Sequence, residues 1–426
     1  MKSTLSRLPN GLQVISAPLK ERKSVAIGVW VRVGGRDETP RLNGISHFLE
    51  HMVFKGTRRF GTDEIKQAVE GVGGSLNAFT GEECTCFLAK VSSVHFDRVF
   101  QVLAEMVLEP TLRQSDLEKE RTVVMEEIKM TQDQPSQYVE ELLAELVWPK
   151  HALGRPLAGT LDTVAKIRRK DLAEYHRRHY RPSFITVAAA GDVDHAKLLK
   201  TAKRYFNRGS SQHEKKNEWY QGAQHEPRMK VFEKKTEQTH FAMAVRAFKK
   251  NHPQEFVLDI LSVILGGNMS SRLFCEVREK RGLAYEIGSF VKKFQETGTF
   301  EVAAGVDNRK APRALEVVVQ ELRRLTRSPV GGEELKRAKE FYLGQMELGL
   351  ESNMNQMLWI GEHAALFGYN KFPQEVRRAV ERVSAGDIRA VACSLFKDCG
   401  MSLAVIGPEV KRFEKEYLKS LAGLKF

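Results

Sequence analysis

No run of about 18 consecutive apolar residues occurs in these 426 residues, so a membrane-spanning helix is not expected. The first residues, Met1-Lys2-Ser3-Thr4-Leu5-Ser6-Arg7-Leu8, carry no long apolar segment and no small-residue cleavage site. A secretory signal is therefore not expected either. A strand-like run, Gly11-Leu12-Gln13-Val14-Ile15-Ser16, follows at once and leaves no room for an amphipathic transit peptide. The expected compartment is a bacterial-type cytoplasm, without contact with a membrane. Cysteine is scarce: Cys84, Cys86, Cys275, Cys393 and Cys399 make an odd five. No pair of Cys-x-x-Cys units is present, which argues against a disulfide framework and against a thiolate zinc site. Cys84 and Cys86 alternate with Thr85 and Phe87 on an apparent strand and read as small core residues. Acidic residues are outnumbered 54 to 67, giving a net charge of +13. The basic residues are scattered, with no nucleic-acid motif and no interleaved aromatic set. The charge therefore reads as solubility and attraction of acidic peptides, not as a nucleic-acid surface.

What is present is a globular chain, 42% apolar and long enough for two or three cores. Ser24-Val25-Ala26-Ile27-Gly28-Val29-Trp30-Val31-Arg32-Val33 reads as a mostly buried strand ended by Gly34-Gly35. A helix is expected from Asn43 or Gly44 to Gly56, and another with Thr62 as N-cap, ending at Gly73-Gly74. Strands follow at Ser75 to Phe79 and Cys84 to Val91, then long helices to about residue 180, then a strand from Phe184 to Ala190. The polar segment 209–228 reads as a linker. Beyond it, strands at Met229 to Phe232 and Gln238 to Val245 precede an apolar helix, Phe256 to Leu265. Strands near Ala284 to Val291 and Gly298 to Val306 and helices at Ala311 to Thr326 and Glu333 to Leu350 complete a second β-β-α-α-β-β-α-α series. The expected architecture is α+β: two duplicated domains, 1–208 and 229–426, each a mostly antiparallel sheet covered by helices.

The chemistry is concentrated in His47-Phe48-Leu49-Glu50-His51. On a helix, positions i, i+3 and i+4 share a face, so both imidazoles and the carboxylate point the same way. Two imidazoles one turn apart can close on a zinc ion at about 2.0–2.1 Å. Glu50 is too crowded to be the third ligand but can reach a metal-bound water. A third protein ligand is then needed. The helix around Glu118, Glu120, Glu126 and Glu127 offers one. Glu120 and Glu127, seven apart, share a face, while Glu126 turns about 100° away from Glu127. One of the pair could ligate and the other could orient a histidine through its free ring N–H. The second half has no His-x-x-Glu-His, so this metal site is expected in the first half alone.

His47-Phe48-Leu49-Glu50-His51-Met52-Val53-Phe54-Lys55-Gly56-Thr57 resembles the signature of the insulinase/pitrilysin zinc peptidases, in the branch of mitochondrial processing peptidase and its bacterial relatives. Gly74 to Thr80, Glu120 to Glu127, Ser270 to Phe274 and Arg278 to Tyr285 are similar to further family segments, in the expected order. Ser183-Phe184 departs from the pattern, since relatives often carry Asn at the Phe184 position. The resemblance implies that His47, His51 and Glu127 bind one zinc ion per chain. It implies Glu50 as general base and Glu120 as a catalytic neighbour of the metal. It also implies that Asn77, Ala78, Phe79 and Thr80 form a strand that pairs with substrate, and that Arg278 and Tyr285 bind the peptide at the scissile region. The implied activity is zinc-dependent endopeptidase action on unstructured or extended peptides, with metal-activated water as nucleophile. In four-domain relatives the Arg/Tyr motif faces the zinc from the other half of the molecule. Two such chains would enclose a chamber, so a homodimer is expected, with a heterodimer with a related chain as the other arrangement. A dedicated presequence-processing peptidase and a non-catalytic core-type subunit are the rival readings.

Overall fold

The computed structural model describes residues 2–207, 219–220, 222, 224, 226–396 and 400–422. Most of the expected linker, 209–228, lies outside the described residues. Among the described residues, eleven strands form two sheets. The first contains β1 (Thr4–Arg7), β2 (Gln13–Pro18), β3 (Ser24–Val31), β4 (Ser75–Thr80), β5 (Thr85–Ser92) and β6 (Ile185–Gly191), in the order β1-β2-β6-β3-β5-β4. The second contains β7 (Arg228–Glu233), β8 (Thr239–Ala247), β9 (Ala284–Lys293), β10 (Gly298–Val306) and β11 (Ser402–Gly407), in the order β7-β11-β8-β10-β9. Setting aside the edge strand β1, the orders match position for position. Even the one parallel pair recurs, β2 with β6 and β7 with β11. The duplicated α/β architecture expected from the sequence is therefore present. Strand β11 was not foreseen.

β3 explains the first sheet. Val25, Ile27, Val29 and Val31 face one side and Ala26 and Trp30 the other, and all are buried. Both faces must then be covered by helices. On the first face lies the helix Ile45–Val53, termed here the histidine helix, through Phe48, Leu49 and Met52. The second face takes the helix Asn353–Phe367 through Met357, Ile360 and Ala364. That face is lined by the small residues Ala26, Ala188 and Ala190, which let the helix come close. A Cβ at Gly28 would run into Met357.

The compact units do not follow the chain as the expected boundaries do. One gathers Met1–Lys129, Arg155–Asn217 and Glu347–Pro373; the other gathers Met130–Gly154, Glu218–Met346 and Gln374–Phe426. Each half thus gives one helix to the other half's sheet. The helix Pro135–Val147 covers the second sheet, placing Leu142 and Leu143 against Ala242, Ala404 and Ile406. Periodicity reveals that a helix has an apolar stripe, not which sheet receives it.

The histidine helix is held at its start. Gly44 adopts φ +92°, and a Cβ there would strike the Ala158 carbonyl oxygen at 2.5 Å. The buried Glu38 carboxylate accepts from the Gly44 N–H at 2.7 Å, the Ser46 N–H at 2.8 Å and the Asn43 side chain at 3.0 Å. Burial pushes its pKa up to about 7 against the pull of these donors. Glu38→Ala would strand them away from water. It should cost about 3 kcal/mol in urea unfolding, since each buried polar group left unsatisfied costs ~1–3 kcal/mol. The second helix begins at Thr62 but is capped by Gly61, whose N–H donates to Glu64 at 2.7 Å. The expectation of Thr62 as N-cap is corrected accordingly: the Glu64 side chain fills the capping role one residue earlier.

Candidate metal centre

The histidine helix presents His47, Glu50 and His51 on one face, as 3.6 residues per turn require. Opposite runs the helix Gln114–Asp133, the carboxylate helix, whose buried Leu117, Val124 and Ile128 turn Glu120 and Glu127 toward the histidines. Glu127 Oε2 lies 3.7 Å from His47 Nε2 and 3.4 Å from His51 Nε2. Glu126 points elsewhere and pairs with Lys129 at 2.7 Å.

These separations test the fit to zinc. Donors about 2.0–2.2 Å from a tetrahedral ion sit about 3.4 Å from one another. The donor atoms of His47, His51 and Glu127 all lie within 4.8 Å of each other, so a small shift closes them on one ion. Among the described residues this is the one such group. The His51 ring agrees. His51 Nδ1–H donates to Glu120 Oε2 at 3.2 Å, which leaves Nε2 for the metal. Glu120 is itself held from the far side by the Lys55 ammonium, 2.6 Å from its Oε1. Burial, with the His51 ring alongside, pushes His47 down to about 4, so its imidazole is neutral and free to ligate at neutral pH.

That depressed value carries a pH prediction for the metal-free protein. Between about pH 6.5 and pH 4 the unfolded chain binds a proton that folded His47 refuses. Stability from this group is complete above pH 6.5 and is lost as pH falls through that window, about 3 kcal/mol in all. His47→Gln should flatten this acid limb in urea titrations; an unchanged limb would refute the assignment.

Glu50 faces the same space. Thr80 Oγ1 donates to its Oε2 at 2.5 Å. Burial raises the Glu50 pKa, while the Thr80 hydrogen bond acts in the opposite direction. Asn77, Ala78, Phe79 and Thr80 all lie on β4, which ends the sheet and, among the described residues, pairs only with β5. Gly81 N–H bonds to Cys84 O across the β4–β5 turn. By antiparallel alternation the main-chain groups of Leu76, Ala78 and Thr80 then face the open edge. Asn77 and Phe79 are exposed, and Phe79 rests edge-on against Trp30 at 5.6 Å. Arg278 and Tyr285 belong to the other compact unit and meet each other there. The Arg278 guanidinium lies 4.7 Å from the Phe274 ring centroid and 5.5 Å from that of Tyr285, which is largely exposed. The sequence reading missed Glu38 and Lys55. Lys55 stood inside the signature, but its partner is 65 residues away, and nothing in the spacing joins them.

Known sequences and structures resemble this chain along most of its length. The model for insulinase, peptidase family M16, matches residues 13–161. The model for the peptidase M16 inactive domain matches residues 166–342. This chain belongs to the insulinase family. The insulinase-family chain is 35% identical to an uncharacterized zinc protease of Streptomyces coelicolor, over 94% of this chain and 88% of the relative. It is 34% identical to an uncharacterized zinc protease of Bacillus subtilis, over 94% and 97%. Among solved structures, a protease from Helicobacter pylori matches with TM-score 0.89 and 26% identity, over 96% of this chain and all of that one. A chain of complex III2 from Candida albicans shares the fold, with TM-score 0.85 at 17% identity over 99% of this chain and all of that chain. Among the described residues no helix is long and apolar enough to cross a membrane.

Proposed function

We propose that this insulinase-family chain is a zinc-dependent endopeptidase acting on unstructured or extended peptides. The observation that carries this reading is the meeting of His47, His51 and Glu127 donors at zinc spacing, with the Glu50 carboxylate on the same helix face. Zinc, when bound there, supplies a Lewis acid that acidifies water from a pKa of 15.7 toward about 7 and polarises a carbonyl. Glu50 would take a proton from the attacking water and pass it to the leaving amine. The open edge of β4 takes the peptide as an added strand, so affinity comes from main-chain hydrogen bonds and tolerates many sequences. One zinc per chain is the expected load. Among the described residues Cys84, Cys86, Cys275 and Cys393 form no disulfide, which suits a reducing compartment such as a bacterial-type cytoplasm.

The intact donor set favours a peptidase over a core-type structural subunit. Between a general degrader and a dedicated presequence-processing enzyme, cleavage sites decide. A degrader cuts many bonds in unstructured peptides, and a processing enzyme cuts one bond behind basic leader residues. The test is metal analysis together with a quenched fluorescent peptide library. About one zinc per chain with cleavage supports the reading; no zinc and no cleavage would remove it.

We further propose a homodimer in which Arg278 and Tyr285 of one protomer complete the zinc site of its partner. Support comes from the family resemblance and from the presence of both residue sets in one chain. Mixing Glu50→Gln chains with Arg278→Ala chains should restore one working site per mixed dimer. No rescue despite subunit exchange would sink this arrangement.

A further inference from the structure

Among the described residues, Glu50 receives a single hydrogen bond, from the Thr80 hydroxyl to Oε2 at 2.5 Å. Cys86 is within electrostatic reach of Glu50 yet donates nothing to it. A hydroxyl has one hydrogen to give, and here it goes to one oxygen of a carboxylate. The other oxygen, Oε1, is left unengaged. The terminal torsion of a glutamate is broad and two-fold, so a carboxylate without a partner samples many orientations. Thr80 removes that freedom.

The hydroxyl is itself well placed. Thr80 stands opposite Thr85 in the β4–β5 register, next to the turn closed by Gly81 and Cys84. Thr85 Oγ1 in turn donates to the Val33 carbonyl at 3.0 Å, tying the hairpin to the chain just beyond β3. The position of the hydroxyl is thus set by strand pairing, not by a flexible loop.

From this geometry we infer that Thr80 is the positioning residue of the general base: its hydroxyl fixes Glu50 through Oε2 and reserves Oε1 for the attacking water. This rests on the peptidase reading and assigns Thr80 a task other than substrate binding. One strand then serves two purposes. Its outer edge takes the peptide, and its last residue aims the base. A peptide that seats badly on β4 would disturb the aim of Glu50 through the same strand, which links correct docking to turnover.

The experiment compares Thr80→Val, which keeps the shape and loses the donor, with Thr80→Ser, which keeps the donor. Zinc content, kcat and KM are measured on one peptide, and the zinc-loaded Thr80→Val protein is crystallised. The expected result is a fall in kcat of about 10–100-fold for Val, part of the 10²–10⁴-fold that a positioned base supplies. KM should stay within about twofold, zinc content should not change, and Ser should restore most of kcat. In the crystal, the Glu50 carboxylate should have turned from its place. A raised KM with unchanged kcat would return Thr80 to the substrate-binding set and overturn the inference. So would Ser behaving like Val, or Glu50 unmoved in the Val crystal. If the wild-type protein cleaves nothing, the peptidase reading fails on its own, and the crystal still decides whether Thr80 places Glu50.

Discussion

Glu50→Gln should load zinc as the wild-type chain does and cleave peptides about 10²–10⁴-fold more slowly, the range for loss of a positioned general base. The amide matches the carboxylate in shape and can still accept from Thr80, so folding and the metal donors should be undisturbed. It cannot take a proton at neutral pH. The effect should therefore fall on kcat, with KM and zinc content close to those of the parent. Metal analysis beside steady-state kinetics checks this. Equal loss in KM would mean that Glu50 binds substrate. Loss of zinc would mean that it serves the metal.

The second large effect is expected at Glu127. Its Oε2 approaches both histidine Nε2 atoms, at 3.7 and 3.4 Å, so Glu127→Ala removes the one carboxylate among the described residues that completes a three-donor set. Two imidazoles alone should hold zinc far more weakly. Glu120→Ala provides the scale. Glu120 touches the His51 ring and not the donor side of the cluster, and loss of such an outer partner costs about 10–100-fold in affinity. Glu127→Ala should exceed that in competition against a chelator. The protein should also lose most of its zinc-dependent rise in melting temperature, because a ligand stabilises only as far as its concentration exceeds its dissociation constant. If Glu120→Ala proved the more damaging of the two, the ligand roles would have to be exchanged.

Much of this site was legible because helical spacing is strict. His47, Glu50 and His51 share a face by arithmetic, and Glu120 and Glu127 do so two turns apart, with Glu126 excluded on the same grounds. Spacing alone left open which carboxylate ligates. The structure brings Glu127 to both histidines and gives Glu120 to the ring N–H of His51. The contacts that remained hidden are long-range ones. Lys55 with Glu120 and Thr80 with Glu50 join elements whose approach depends on the packed core. Glu38 was hidden for another reason. It caps the histidine helix from outside, with backbone N–H groups as its partners, and backbone groups leave no mark on the side-chain pattern. The two sheets were anticipated from alternating strands and duplicated order, whereas the exchange of helices between them was not.

That exchange bears on how the protein is made and how its gene can change. The helix Asn353–Phe367 is among the later segments to leave the ribosome, yet it covers Trp30, Ala188 and Ala190 of the first sheet. At synthesis rates of about 5–20 residues per second, that apolar face stays bare for many seconds after its strands have emerged. That bare face coincides with the stage at which the histidines have already emerged. The two halves repeat one strand order, but no single cut through the coding sequence would return two self-sufficient proteins. Either fragment would carry away a helix that the other needs.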